Sequence, residues 1–239
     1  MTSRGRTRAV ASAVLLLAGG WAAVAPASAA PPPADTMAQR MRACTPCHGE
    51  QGRDTNAGYF PRIAGKPAGY LHNQLLNFRD GRRNNVSMTY LVSHLSESYL
   101  REIAEYFAAL ELPYPPPQTS GAPAAQLARG EALVRHGDAA RGVPACTACH
   151  GPAMTGAQPA MPGLLGLPRD YLVAQLGAWK TGQRRAHAPD CMAQIVQRLG
   201  DDDITALTTW LSSQPLPASP APAAAVPEPL PLACGSGLR

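Results

Sequence analysis

Two short segments carry residues whose types and spacing suit covalent attachment of a cofactor. The pattern Cys-x-x-Cys-His stands at Cys44–His48 and recurs 102 residues later (44 to 146) at Cys146–His150. This pattern is the attachment signature of c-type haem. Two thiols about one helical turn apart can each form a thioether to a haem vinyl group, and the next histidine can ligate the iron. The predicted thioether cysteines are Cys44, Cys47, Cys146 and Cys149, and the predicted iron ligands are His48 and His150.

Other chemistry of paired cysteines has to be weighed against haem. Zinc knuckles bring their cysteine pairs within tens of residues, whereas these pairs lie about 100 residues apart. A thioredoxin-like redox pair requires a βαβ setting, of which the sequence shows no sign. Simple disulfides are a further alternative in an exported protein. The second Cys-x-x-Cys-His and the wider duplication favour two haem c groups.

A second axial ligand for each iron is predicted from the repeat. Met88 follows His48 by 40 residues (48 to 88), and Met192 follows His150 by 42 (150 to 192). A thioether donor is soft and favours the ferrous state, which suits electron transfer. Either methionine could instead be ordinary core filler. The competing ligands in the neighbouring segments are His94, His187, Met154 and Met161.

The segments that follow each attachment motif also match. Pro61–Pro67 and Pro162–Pro168 share the pattern Pro-x-x-x-Gly-x-Pro. A ligating histidine usually donates its free ring N–H to a carboxylate or a carbonyl. We predict that the carbonyls of Pro61 and Pro162 accept from His48 and His150, although these prolines could be only turn residues.

Helices must position these residues, because apolar residues recur at helical spacing and no strand-like alternation of comparable length appears. Leu100, Ile103, Phe107 and Leu110 share one face, with Ser96 or Ser98 as the N-cap. The fold class is therefore all-α, with two tandem domains, each wrapped around one haem. The predicted boundaries are a first domain 30–112, a Pro-rich linker 113–123, a second domain 124–214 and a disordered Pro/Ala-rich tail 215–239.

The N-terminus predicts export. Residues 1–8 hold three arginines and no acid, an apolar run follows, and Ala27-Ser28-Ala29 provides a small-x-small cleavage site. We predict a signal peptide over 1–29, with an uncleaved membrane anchor as the alternative. Removing three arginines lowers the net charge from +5 to +2 (5 − 3). A nearly balanced mature chain does not suggest nucleic-acid binding, and we expect a periplasmic protein with at most peripheral membrane contact.

At this point a resemblance can be stated. The repeated haem motifs, Pro162–Gly166, Tyr171-Leu172 and Met192 resemble a domain of the tandem dihaem cytochromes of the cytochrome c4 type, and the first copy is similar, with Phe78–Arg83 before Met88. The resemblance spans about residues 35–213. It implies two class I cytochrome c domains about a pseudo-twofold axis, His/Met ligation, and a periplasmic electron carrier rather than an enzyme.

Two cysteines depart from the family pattern. Cys191 directly precedes Met192 where the first copy has Ser87, and Cys234 lies in the Pro/Ala tail. In an oxidising compartment, a leftover pair suggests a Cys191–Cys234 disulfide that holds the tail near the second haem. Alternatively, Cys191 is an iron ligand or a reactive thiol, as in dihaem thiosulfate dehydrogenases.

The predicted role as an electron carrier implies redox proteins as partners. We expect a quinol-oxidising membrane complex or a periplasmic dehydrogenase as donor, and a terminal oxidase as acceptor, in small transient complexes. The alternatives are a dihaem oxidoreductase acting on a sulfur compound or peroxide, which needs an open or replaceable iron ligand, and a cytochrome subunit of a dehydrogenase.

Overall fold

The fold is that of a computed structural model, which describes residues 34–54, 58–226 and 228–237. The predicted signal peptide lies outside the described residues. Within them the α-helices are α1 (Met37–Arg40), α2 (Thr45–His48), α3 (Ala68–Arg79), α4 (Val86–Val92), α5 (Glu97–Ala108), α6 (Ala124–His136), α7 (Thr147–His150), α8 (Arg169–Lys180), α9 (Cys191–Gln197) and α10 (Asp201–Ser213). The all-α prediction is confirmed. Among the described residues, we find no helix with the length and apolarity needed to cross a membrane.

Secondary structure outside these helices is short. Three 3-10 helices span Met41–Cys44, Glu50–Gly52 and Ala139–Arg141. Strands β1 (Gly156–Ala157) and β2 (Met161–Pro162) form an antiparallel hairpin that the helical periodicity did not indicate. The hairpin lies in the second domain and ends at Pro162, which begins the matched Pro-x-x-x-Gly-x-Pro segment.

Helices α3 and α5 build the core of the first domain. The hydroxyl of Ser96 accepts the N–H of Tyr99 at 3.2 Å, so α5 begins at one of the two predicted caps. The buried face of α5 consists of Leu100, Ile103, Ala104 and Phe107. It packs in one cluster with Leu71, Leu76 and Phe78 of α3. This core supports the segment from α3 to α4, on which Met88 lies.

Helices α6 and α10 pack together in the core of the second domain. Their backbones approach closely at Gly130, where an added Cβ would come within 2.7 Å of the Ala206 carbonyl carbon. The buried cluster around this contact includes Leu133, Val134, Trp210 and Leu211. A glycine on α6 therefore lets the two helices pack tightly behind the second attachment motif.

A charge cluster fixes the start of α10. Asp203 accepts the N–H of Gly200 at 3.1 Å, and it also accepts from Arg129 at 2.9 Å and Arg141 at 2.6 Å. Burial alone would raise the pKa of Asp203, but these donors outweigh it and hold the pKa below its ordinary value. The carboxylate thus joins α10 to α6 and to the 3-10 helix Ala139–Arg141.

Replacing Asp203 with asparagine should lower the free energy of unfolding by about 1–2 kcal/mol at neutral pH, because charged hydrogen bonds are lost. The depressed pKa means that this stabilisation is present above the unfolded carboxyl pKa and is lost as the pH falls through the folded one. The difference from wild type should therefore shrink below about pH 4. Denaturant titrations across pH measure it, with Asp202→Asn on the exposed side of the same turn as control. A difference that stays constant with pH would contradict the assignment.

The Pro-rich connector is held by a buried arginine. Arg62 donates to the carbonyls of Leu112 at 2.6 Å and Pro113 at 2.8 Å, and its guanidinium lies 3.9 Å from the ring centroid of Tyr114. Proline supplies no N–H, so the carbonyls of such a segment need donors from elsewhere. Arg62 provides them, and the connector is fixed against the first domain where it leaves.

The described tail is packed, in contrast to the predicted disorder. We call residues 215–226 and 228–237 the C-terminal strap. The N–H of Gln158 donates to the carbonyl of Ala223 at 2.8 Å, and the N–H of Ala223 donates to Gly156 at 2.9 Å. Val226 is buried in a small cluster with Ala157 and Met161. The composition predicted disorder because the strap has no hydrophobic periodicity. The strap is nevertheless ordered because its extended backbone forms hydrogen bonds with the β1–β2 hairpin, which the sequence did not predict.

Candidate haem-binding site

The first attachment motif ends in a buried, oriented histidine. Cys44 closes a 3-10 helix and α2 carries Cys47 and His48. The Nδ1–H of His48 donates to the carbonyl of Pro61 at 3.0 Å. Burial lowers the pKa of His48, which favours the neutral imidazole. With Nδ1 engaged, Nε2 keeps the lone pair that could bind a metal.

The second motif repeats this geometry. α7 carries Cys149 and His150, and the Nδ1–H of His150 donates to the carbonyl of Pro162 at 2.7 Å. Burial lowers the pKa of His150 and raises that of Cys146 to about 11. The structure therefore brings each predicted proline carbonyl to its predicted histidine. In the described part of the chain, no cluster of three or more His, Cys, Asp or Glu side chains is arranged to hold a metal ion.

Both motifs open onto one cavity of about 870 Å³ that runs between the two domains. Its mostly apolar wall includes all four attachment cysteines, His48, His150, Met88 and Met192. The four cysteines take no part in a disulfide. An apolar space with paired thiols and neutral, oriented imidazoles on its wall fits haem, a large flat apolar group held by thioethers and an axial nitrogen.

The methionine of the first domain lies on a capped helix. The side chain of Asn85 accepts the N–H of Met88 at 3.0 Å and so begins α4. Met88 is half-buried and packs against the core that contains Phe78 and Ile103. The helix start thus holds the thioether at the cavity wall.

The methionine of the second domain lies beside a disulfide. Asp190 caps α9 by accepting the N–H of Ala193 at 3.0 Å, as Asn85 caps α4. Cys191 is bonded to Cys234, with the two Cα atoms 4.9 Å apart. Cys191 therefore has no thiolate to offer an iron while this bond is intact. The alternative in which Cys191 ligates iron would first require reduction.

The competing ligands divide by position. His187 and Met161 line the cavity, whereas Met154 is buried in the core of the second domain and His94 is exposed. His187 also contacts Arg82, with 3.4 Å between ring nitrogen and guanidinium. His187 and Met161 are therefore alternatives to Met192 at the cavity wall, and the assignment of the second iron's axial ligand stays a prediction.

A pair of buried arginines that the cofactor motifs do not predict lies between the two domains. Arg83 and Arg184 are buried, and their backbones form an antiparallel bridge across the two domains. Arg83 donates to Tyr171 at 3.0 Å and to Gln175 at 2.8 Å, while Arg184 donates to Gln175 at 2.7 Å and to Gln74 at 3.0 Å. Among the described residues, neither guanidinium forms an ion pair with a carboxylate. Two buried cations at a cavity wall would be stabilised by an anionic group bound in the cavity.

A signal for this pair exists in the repeat. Gly81 and Gly182 match, and in each copy the arginine stands two residues later. Each guanidinium also lies over an aromatic ring of its own domain, at 4.5 Å from the Phe78 centroid and at 3.9 Å from the Trp179 centroid. Comparing matched polar residues, as well as the cofactor motif, would have pointed to them.

A buried lysine links the first domain to the second site. The ammonium of Lys66 donates to the carbonyl of Gly163 at 3.0 Å, next to the proline that accepts from His150. Burial lowers the pKa of Lys66 to about 7. The second site is thus supported by a residue of the other domain.

Comparisons with known proteins agree with this geometry. The cytochrome c family matches residues 127–215. The chain is 39% identical over 197 residues to a thiosulfate dehydrogenase electron acceptor of Thiomonas intermedia, covering 82% of this chain and 86% of that protein. It is 35% identical over 170 residues to cytochrome c4 of Pseudomonas aeruginosa, covering 70% and 82%.

Two solved structures are similar. Reduced cytochrome c4 from Pseudomonas stutzeri matches with a TM-score of 0.64 and 29% identity, over 73% of this chain and 95% of that one. A thiosulfate dehydrogenase from Marichromatium purpuratum, as isolated, matches with a TM-score of 0.65 and 34% identity over 72% of this chain. This chain spans only 36% of that dehydrogenase chain.

These findings define the class first: a c-type cytochrome that carries electrons. Within that class, the chain belongs to the cytochrome c4 family of tandem dihaem cytochromes, so its cofactor is covalently bound haem c. The predicted resemblance, fold class and cofactor are confirmed.

Proposed function

We propose that this dihaem cytochrome accepts electrons from a thiosulfate-oxidising dehydrogenase in the periplasm and passes them to a terminal acceptor such as an oxidase. The observation that carries the proposal is the single cavity that both attachment motifs share. The donor is inferred from relatives named as thiosulfate dehydrogenase electron acceptors. Of the two donors predicted from the sequence, the proposal takes the dehydrogenase rather than the quinol-oxidising complex.

The residue roles in the proposal follow the site geometry. Each bound haem would supply one site that holds a single electron. Cys44, Cys47, Cys146 and Cys149 would form the thioethers, and His48, Met88, His150 and Met192 would be the axial ligands. The carbonyls of Pro61 and Pro162 orient the imidazoles, which keeps the ligand geometry the same in both oxidation states.

Arg83 and Arg184 have a proposed role as well. Haem carries propionate carboxylates, and these arginines are buried cations at the wall of the shared cavity. Paired donors of this kind bind carboxylates well because the guanidinium fork is rigid. Each arginine would neutralise the charge of a haem propionate at the boundary between the two domains.

Reduction kinetics test the proposed function. Oxidised protein mixed with catalytic amounts of a thiosulfate dehydrogenase and excess thiosulfate should become fully reduced, with two electrons taken up per chain. Thiosulfate without the dehydrogenase should leave it oxidised, and dithionite should reduce it in both cases. Reduction by thiosulfate alone would favour the enzyme alternative, and failure with the dehydrogenase would overturn the proposed donor.

A second candidate is a cytochrome subunit permanently bound to a dehydrogenase. It is favoured by one observation: a chain region like this one forms 36% of a solved thiosulfate dehydrogenase chain. Size-exclusion chromatography of the two proteins together distinguishes the candidates. A stable complex at micromolar concentration supports the subunit, whereas separate elution with fast electron transfer supports the mobile carrier.

A further inference from the structure

We propose that protein partners exchange electrons with this chain through one face only, the exposed apolar face of α4 beside Met88. In the second domain the C-terminal strap covers the attachment motif and the first residue of α9, the helix that matches α4. The partner that fits is a redox protein with an uncharged, apolar docking face. Its identification as the thiosulfate-oxidising dehydrogenase rests on the proposed function.

The open face, which we call the α4 face, consists of Val86, Tyr90 and Leu91, of which Leu91 also lines the haem cavity. Their side chains are 90%, 79% and 48% exposed. Large apolar groups grouped on one short helix mark an interaction surface more often than scattered ones do. Because α4 also carries Met88, a partner seated here would lie on the methionine side of the first haem.

The composition around the α4 face specifies the chemistry of its partner. Residues 84–96 contain no Asp, Glu, Lys or Arg. A charged surface placed against this stretch would lose hydration without gaining an ion pair. The partner must therefore present an uncharged surface, and the association rate should depend little on ionic strength.

The second domain differs at the matched positions. With the offset of 104 residues that relates Met88 to Met192, Ser87 corresponds to Cys191 and Tyr90 to Gln194. Ser87 is exposed, whereas Cys191 is bonded to the strap. At the attachment motif, Cys47 is exposed, whereas Cys149 packs against the strap cluster that contains Val226 and Leu230.

Specific contacts hold the strap on the second domain. The N–H of Gly235 donates to Pro189 at 2.9 Å, and the hydroxyl of Ser236 accepts the N–H of His187 at 3.2 Å, so the strap lies on the loop before α9. The carbonyl of Ser236 also accepts from Asn73 of the first domain at 3.2 Å. Leu232, Cys234, Ser236 and Gly237 line the haem cavity.

A single open face has a kinetic consequence. A donor and an acceptor that need the same surface cannot bind at once, so the carrier must leave one before it meets the other. The second haem would then gain and lose its electron only by transfer to and from the first haem. Electron flow through the protein would show competition between its two partners.

The test uses matched substitutions in the intact dihaem protein. Tyr90→Lys places a charge on the α4 face, and Gln194→Lys places the same charge at the matched exposed position of the second domain. Tyr90→Lys should slow reduction by the dehydrogenase about tenfold or more, and Gln194→Lys should leave the rate within about twofold. Equal slowing by both, or by Gln194→Lys alone, would overturn the proposal.

A second arm tests the strap. Adding Cys191→Ser and Cys234→Ser to Tyr90→Lys should free the distal strap, as limited proteolysis will show, and should recover part of the lost rate through the second domain. Absence of recovery with a freed strap would show that the strap does not close that face.

The same variants separate failure of the face from failure of the proposed donor. A reduced monohaem cytochrome c serves as a second probe, because it needs only an electron-transfer contact. If the dehydrogenase fails with wild type, the donor is wrong, and the probe still decides the face. A probe rate that is unchanged by Tyr90→Lys would overturn the single face.

Discussion

Replacing Met88 with alanine is expected to lower one reduction potential of the protein strongly and to leave the other nearly unchanged. Axial ligands span roughly 0.8 V of haem potential, and a thioether lies toward the high end because it stabilises the ferrous state. The shift should therefore be on the order of 0.1 V or more. Spectroelectrochemical titration measures both potentials in one sample.

Matched variants make this prediction specific. Met192→Ala should lower the other potential, and Met154→Leu should change neither, because Met154 packs in the core of the second domain. The absorption band of methionine-ligated ferric haem should weaken by half in each single variant. If Met192→Ala moved neither potential nor the band, His187 or Met161 would replace it as the candidate ligand, since both line the cavity.

The second large effect is expected for Arg83→Gln. This change removes donors to Tyr171 and Gln175 of the second domain and to Gln74 of the first. Arg184 still donates to Gln74 and Gln175, so Tyr171 is the acceptor that loses its donor. A buried acceptor without a donor costs about 1–3 kcal/mol, and the free energy of unfolding should fall by about that amount. Losing a cation near the haems should also lower both potentials, because positive charge disfavours the ferric state.

Thermal unfolding and redox titration of the same sample check this. Arg184→Gln should lower both potentials in the same way, because Arg184 is also a buried cation at the cavity wall. It should lower the free energy of unfolding less, because Arg83 still donates to Gln74 and Gln175. Arg101→Gln is the surface control: its ion pair with Glu97 is half-exposed on both sides and contributes little. A potential that moves only for one haem in both arginine variants would contradict a shared role at the boundary between the two domains.

The parts of this protein that the sequence predicts well are those fixed by local spacing. The attachment motifs, the cap at Ser96 and the pairing of each histidine with a proline carbonyl all lie within short stretches of chain. Because the chain is duplicated, each motif can be compared with its counterpart in the other copy. Met88 and Met192 are predicted as ligands because they follow the attachment histidines by similar intervals, 40 and 42 residues.

What the sequence did not predict depends on contacts between distant residues. Arg83 and Arg184 resemble ordinary surface residues until two domains bury them together. The strap has the composition of a disordered tail, and contacts with distant residues fix its position, among them the hairpin at β1 and the bond from Cys234 to Cys191. Arg62 likewise acquires its role from a connector some 50 residues away in the chain.

The contact between Lys66 and Gly163 bears on how the protein is made. The first half of a chain leaves the ribosome first, and domains generally fold as units in that order. The frame that orients His150 includes a donor from this earlier half. The second attachment site therefore depends, for one of its contacts, on the half of the chain that is synthesised first.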